Sequence, residues 1–205
     1  MSRMRRGAMA TGLVVLLVAT FVLPGALQAQ ARSRWTLDVR GSAAIPIADI
    51  EGHDLGTGFG GRATLGYRFL ARTGAYLDWD WHAFAPDQSF AGGSVGFEES
   101  GFTLGIGLRH PFRADDADGP ALAVRAGGTY NHVELEDSRG REIADSGYGV
   151  GWEAGAGLDF GVSERVRVTP GLRYRSFSRS VQIESTRTEV GLRYFSLDLG
   201  VSFEF

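Results

Sequence analysis

The chain has 205 residues, a length that suits one domain, and a formal net charge of -3, too small to point to nucleic acid. It has no cysteine, which excludes disulfides and Cys-based metal sites, and no lysine, so every fixed side-chain cation is an arginine. Its 30 glycines follow no collagen period and signal loops or crowded strands, while 11% aromatic residues argue against disorder.

Residues 1–31 read as a secretory signal peptide. Arg3, Arg5 and Arg6 form a basic start, Ala8 to Leu23 an apolar run, Pro24-Gly25 a break, and Ala29-Gln30-Ala31 a small-residue cleavage site. The apolar run is short for a retained membrane helix. Cleavage after Ala31 leaves a mature domain of residues 32–205.

That domain shows no helical period. Apolar and polar residues alternate instead, the mark of strands with two unlike faces. Eight such segments follow in order. The first sets Trp35, Leu37, Val39, Ala43 and Ile45 against Thr36, Asp38, Arg40 and Ser42. The second sets Phe59, Ala63, Leu65 and Tyr67 against Arg62, Thr64 and Arg68, and the third Leu77, Trp79 and Trp81 against Tyr76, Asp78, Asp80 and His82. The fourth has Phe102, Leu104, Ile106 and Leu108 against Thr103 and Arg109, and the fifth Leu122, Val124, Ala126 and Tyr130 against Arg125, Thr129 and Asn131. The sixth pairs an apolar face from Tyr148 to Phe160 with Glu153 and Asp159. The seventh pairs Val166, Val168, Leu172 and Tyr174 with Arg167, Arg173 and Arg175. The last pairs Phe195, Leu197, Leu199, Val201, Phe203 and Phe205 with Ser196, Asp198, Ser202 and Glu204.

No Asp, Glu or Arg falls on any of the apolar faces. The segments approach the roughly 9–11 residues of a tilted membrane strand, and aromatics gather near the ends of the faces, as in interfacial girdles. An even strand number lets a barrel close without an exposed edge. These features predict an all-β protein, an eight-stranded antiparallel up-and-down transmembrane β-barrel. Tight turns fall at 71–74 and 161–165, a longer acidic one at 111–120, and long connections at 48–58, 85–101, 133–147 and 176–193. Outer-membrane barrels keep short turns on the periplasmic side, which predicts periplasmic termini. Pro170 is expected to cause a bulge or local break in the seventh strand.

The chain ends Asp198-Leu-Gly200-Val-Ser-Phe203-Glu-Phe205. This stretch resembles the terminal assembly signal of outer-membrane barrels, a polar residue, a glycine, alternating apolar residues and a final Phe. With the signal peptide and the eight alternating segments, the chain resembles the small eight-stranded outer-membrane barrels of the OmpA-barrel, OmpX and opacity-protein class. That resemblance implies a bacterial outer-membrane location and periplasmic chaperones. It also implies insertion by the barrel-assembly machinery, whose reading of the last strand is physically an edge pairing.

Candidate chemistry is sparse. Gly56 to Gly61 spells G-x-G-x-x-G, but a strand follows it where dinucleotide binding needs a helix. Asp78, Asp80 and His82 share one face and suggest either a metal site or machinery like that of omptin proteases; the simpler expectation is that they meet interior arginines. Only His53, His82, His110 and His132 are available for a lipid-modifying site, and no such motif accompanies them.

The inward phase carries seven acids (Asp38, Asp78, Asp80, Glu153, Asp159, Asp198, Glu204) and eight arginines (Arg40, Arg62, Arg68, Arg109, Arg125, Arg167, Arg173, Arg175). Near balance predicts a lumen ion network, centred on Asp78, Asp80, Arg125, Glu153, Asp159 and Arg173, in place of a one-signed ion pathway. Arg125 or Arg173 is the expected partner of Glu153. The expected protein is a monomer without enzymatic activity or cofactor, whose loops meet lipopolysaccharide, lipids or host surfaces. Transport of small or apolar solutes is the alternative, and a lipid-modifying enzyme or protease the second. An arginine on the lipid face, at Leu104 or Ala126, is expected to cost more than one at Thr103.

Overall fold

A computed structural model describes residues 34–47, 55–84, 96–113, 119–137, 139, 141–183 and 186–205; for 180–190 only the strand pairing is described. The expected signal peptide (1–31), His53 and the loop stretches 48–54 and 85–95 lie outside the described residues. Residues 33–205 form one compact unit.

The strands are β1 (Trp35–Pro46), β2 (Gly58–Arg68), β3 (Thr73–Phe84), β4 (Gly96–Pro111), β5 (Ala121–Glu136), β6 (Glu142–Asp145), β7 (Gly149–Gly161), β8 (Val166–Ile183) and β9 (Thr186–Glu204). All pairings are antiparallel, and β1 pairs with both β2 and β9, so eight long strands close in up-and-down order. At the seam the backbones of Trp35 and Phe205 exchange hydrogen bonds of 3.2 and 3.0 Å. Both ends of the barrel chain and the short turns lie at one end of the barrel, hereafter the turn end; the long hairpins lie at the loop end.

Period-two alternation decides which way each side chain points. Outward-facing Val39, Leu65, Leu77, Ile106, Leu172 and Leu199 are exposed, whereas inward-facing Asp78, Asp80 and Arg175 are fully buried. A soluble protein would invert this arrangement. Aromatic residues flank the apolar band. Trp35 packs on Tyr67 at 4.8 Å near the turn end, and Trp152, Tyr174 and Phe195 form a run across three strands with 5.2 Å spacings.

Leu104, 67% exposed, lies midway along the lipid-facing side of β4. Leu104→Arg is expected to cost about 2–4 kcal/mol in refolding titrations into bilayers. Thr103 is not the mild arginine site that alternation alone suggested. It is fully buried and accepts a hydrogen bond from Arg175 at 3.2 Å, so an arginine there would be driven into another guanidinium. Thr103→Val, which removes that bond, is expected to cost about 1 kcal/mol. A larger loss at Thr103→Val than at Leu104→Arg would mean that the faces are inverted.

The strands run further than their alternation suggested. Segments expected as loops form ladders: β4 begins at Gly96, β5 continues to Glu136, and β8 and β9 pair out to Ile183↔Thr186. An antiparallel hairpin zips for as long as backbone donors and acceptors stay in register, whether or not its outward side chains suit lipid. At the tip after β5, Asp137 accepts from the guanidinium and backbone N–H of Arg141 and from the N–H of Arg139. These bonds hold its carboxyl down at about 2.

Two irregularities matter. Pro170 pairs normally with Leu199 of β9, but the β7–β8 ladder stops at Gly157↔Gly171 and resumes in the same register at Phe160↔Val168, a local break without a bulge. The other interrupts the partner strand of β5. Asn131 pairs with Gly149 and Glu134 with Asp145, so β5 uses three steps where β6 and β7 use four. The extra residue is accommodated at Gly147, whose φ of 64° suits glycine. It reverses the phase of β6, turning Ala144 inward and leaving Asp145 on the outer wall.

Candidate functional site in the barrel lumen

The inward faces build three layers. The middle one is an ion network around Arg175, which is fully buried. Its guanidinium donates to Asp80 at 2.6 Å, Glu99 at 2.7 Å and Glu153 at 2.7 Å. Glu153 is also approached by Arg173 at 3.3 Å, Arg125 at 3.4 Å and Arg62 at 3.6 Å. Both arginines expected beside Glu153 are therefore there, with two more. Asp78 bonds Arg125 and, at 3.3 Å, Arg62. Asp198 lies 3.4 Å from Arg173 and 3.9 Å from Arg62. His82 meets Ser42 at 2.9 Å and Arg173 at 3.1 Å, so the trio Asp78, Asp80 and His82 is engaged by interior arginines.

Room for these long side chains comes from glycines across the ladder. Tyr76, Gly105 and Gly127 are in register on three adjacent strands, and a Cβ on either glycine would lie 2.4 or 2.8 Å from the Tyr76 hydroxyl. The ring thus lies over two glycines, and the Arg125 guanidinium stacks on it at 3.8 Å.

At the loop end the inward phase becomes apolar. Ala44, Phe84, Phe97, Val133, Leu135, Ala144, Phe177, Leu192 and Tyr194 pack together as a buried cluster above the network. Tyr194 joins the two layers by donating to Glu99 at 2.8 Å. Arg179 donates to the carbonyls of Val150 at 2.8 Å and Asn131 at 3.1 Å, capping the backbone where the β5–β7 ladder ends at the bulge. Period-two reading missed Glu99 and Arg179 because both fall in segments taken as loops. It missed the apolar layer because polar was equated with inward, although Phe97 is in phase with Thr103, and Phe177 with Arg175.

At the turn end a cavity of about 230 Å³ is lined by Arg40, Arg68 and Arg109 and ends at Tyr76, Arg125 and Arg173. Asp159 belongs to this end, not to the network in which the sequence placed it. It accepts from Arg109 at 2.6 Å and Arg167 at 2.8 Å. Six residues separate it from Glu153, about 20 Å along a strand, too far for a shared guanidinium. Of the terminal motif, Asp198 faces the network, Gly200 lies beneath the Arg40 side chain, and Phe203 and Phe205 face outward.

The sequence matches the family model described as outer membrane protein beta-barrel domain over residues 13–205. No curated protein is matched. Among solved structures, the fold is similar to neisserial surface protein A, with a TM-score of 0.64 and 15% identity over 86% of this chain and 100% of that one. It is similar to OprG of Pseudomonas aeruginosa, at 0.58 and 13% identity over 87% and 99%. It is also similar to Ail, the attachment invasion locus protein of Yersinia pestis, solved with the heparin analogue sucrose octasulfate, at 0.52 and 11% over 85% and 100%. At such identities the likeness is one of fold alone.

Proposed function

We propose a role for the chain from the fact that it belongs to the outer-membrane protein β-barrel domain family: it is a monomeric, non-enzymatic barrel that carries surface loops on a rigid wall and seals its own lumen. The observation that carries this reading is Arg175 bridging Asp80, Glu99 and Glu153 beneath a buried apolar cluster. Eight strands enclose an interior just wide enough for side chains to fill, and here long charged ones fill it.

The short turns and termini face the periplasm, and the hairpins face the medium. Residues 1–31 are a signal peptide removed on export. The last strand, with Asp198, Gly200, Phe203 and Phe205, is the edge read by the assembly machinery, helped by periplasmic chaperones. The outer hairpins meet lipopolysaccharide, lipids or host surfaces, since binding residues collect on loops held by a rigid scaffold. Two findings weigh against an enzyme: among the described residues, His82 Nε2 is taken up by Ser42 and Arg173, and Asp78 and Asp80 are taken up by arginines.

Cell fractionation tests location and orientation. The protein is expected in the outer membrane, running faster unboiled than boiled, with proteases added to whole cells cutting only hairpin tips such as 137–141. Release with soluble periplasmic proteins, or cleavage confined to the short turns, would overturn the proposal.

A further inference from the structure

We propose that His132, Glu134 and Asp145 form a binding site for one first-row divalent metal ion, zinc being the best match, on the outer wall of the barrel at its loop end. The three residues come from two strands. His132 and Glu134 alternate on the outward face of β5, and Asp145 lies opposite Glu134 across the β5–β6 ladder. Asp145 reaches that wall only because the extra residue at Gly147 reverses the phase of β6. Without the bulge it would point into the lumen.

The distances fit a small tetrahedral ion. His132 Nδ1 lies 3.3 Å from Asp145 Oδ1 and 3.5 Å from Glu134 Oε1, and the three ligand atoms lie within 4.8 Å of one another. Zinc bonds of about 2.0–2.1 Å in a tetrahedron put neighbouring ligand atoms about 3.3–3.4 Å apart. An imidazole with two carboxylates suits zinc and its first-row neighbours better than calcium or magnesium, which take oxygen ligands.

The surroundings hold the ring for this task. His132 Nε2 is 2.8 Å from Ser100 Oγ, and the ring is stacked on Tyr148 at 4.4 Å. A proton on Nε2, donated to Ser100, leaves the Nδ1 lone pair facing two carboxylates, three electron-pair donors with no hydrogen between them. Metal-ligating histidines commonly anchor their second nitrogen in this way. Two other arrangements satisfy the trio: the neutral tautomer whose Nδ1–H donates to a carboxylate while the Ser100 hydroxyl donates to Nε2, and an imidazolium donating to both carboxylates. Negative charge favours the metal. Glu98 faces Glu134 across the β4–β5 ladder, Glu142 lies on the same hairpin, and the neighbouring Arg141 is engaged by Asp137 at 2.6 Å. His132 is 8% exposed, whereas the Glu134 and Asp145 side chains are 32% and 42% exposed. The ion thus has a way in, and a fourth position stays open to water or an anionic oxygen.

Calorimetric titration of zinc into the refolded, chelator-stripped barrel in detergent micelles tests the proposal. One zinc per chain is expected, with zinc raising the unfolding temperature. His132→Ala and Asp145→Asn are each expected to weaken binding on the order of 100-fold, as does the near-isosteric Glu134→Gln. His110→Ala, at the turn end, leaves it unchanged. The difference in mobility between unboiled and boiled samples verifies that each variant is folded. Absence of saturable zinc binding by the wild type, or wild-type affinity in the folded His132 and Asp145 variants, overturns the proposal and leaves a histidine held by hydrogen bonds to Ser100 and the carboxylates.

Discussion

Arg175→Met is expected to destabilise the folded barrel by about 3–5 kcal/mol, the cost of removing one side of a buried ion pair. The methionine fills much of the vacated volume, so the loss reports charge more than packing. Arg175 is the only arginine within 4.0 Å of Asp80 and of Glu99 among the described residues, and its removal leaves both carboxylates without a cation. Glu153 differs, because Arg62, Arg125 and Arg173 remain beside it. A second change, Glu99→Gln, is expected to recover part of the loss. Asn131 donates to one Glu99 oxygen at 2.5 Å and Tyr194 to the other at 2.8 Å; a glutamine keeps the Asn131 bond at its amide oxygen, and its amide N–H donates to the Tyr194 hydroxyl oxygen. Urea titrations followed by tryptophan emission measure both variants. A cost below about 1 kcal/mol would place these groups in water-like surroundings, where ion pairs are worth little.

Deleting Phe203–Phe205 is expected to abolish most membrane assembly, whereas shortening the 138–141 loop tip leaves it near wild type. Phe203 pairs with Leu37 on one side and Val166 on the other, and the Glu204 backbone N–H donates to the Arg165 carbonyl at 2.9 Å. With these residues gone, the first residues of β1 lose their partners at the seam. Each backbone group stranded in hydrocarbon costs several kcal/mol, and a barrel that cannot close has no other way to satisfy them. Shortening the tip removes only the exposed Asp137–Arg141 pair. Membrane yields of folded protein compare the two, and equal yields would show that β9 needs no intact end.

The membrane part of the fold was legible because its solvent is simple. Lipid rejects charge, so the outward positions within the apolar band had to be apolar or small, and period two exposed that constraint. The parts beyond the lipid were not legible. Once both faces of a hairpin meet water or protein, Glu134 and Glu98 can point outward and Phe177 and Leu192 inward. Alternation then inverts without ending the strand. The near balance of inward charge was readable, as were Arg125 and Arg173 as alternative partners of Glu153. Which arginine meets which acid was not, because stagger between strands is set by hydrogen-bond register and not by composition. Asp159 was misgrouped for that reason. The bulge at Gly147 was hidden for another, since one extra residue leaves no trace in a strictly periodic reading.

Planar-bilayer recordings of the purified wild-type barrel test the sealed lumen most directly. In the proposed reading, the apolar layer from Phe84 to Tyr194 and the network beneath it close the turn-end cavity on the loop side. The expected record is a flat baseline, without stable conductance steps, at voltages that leave the barrel folded. Large, long-lived steps from the wild-type protein would contradict the sealed lumen and establish a transport pathway in its place.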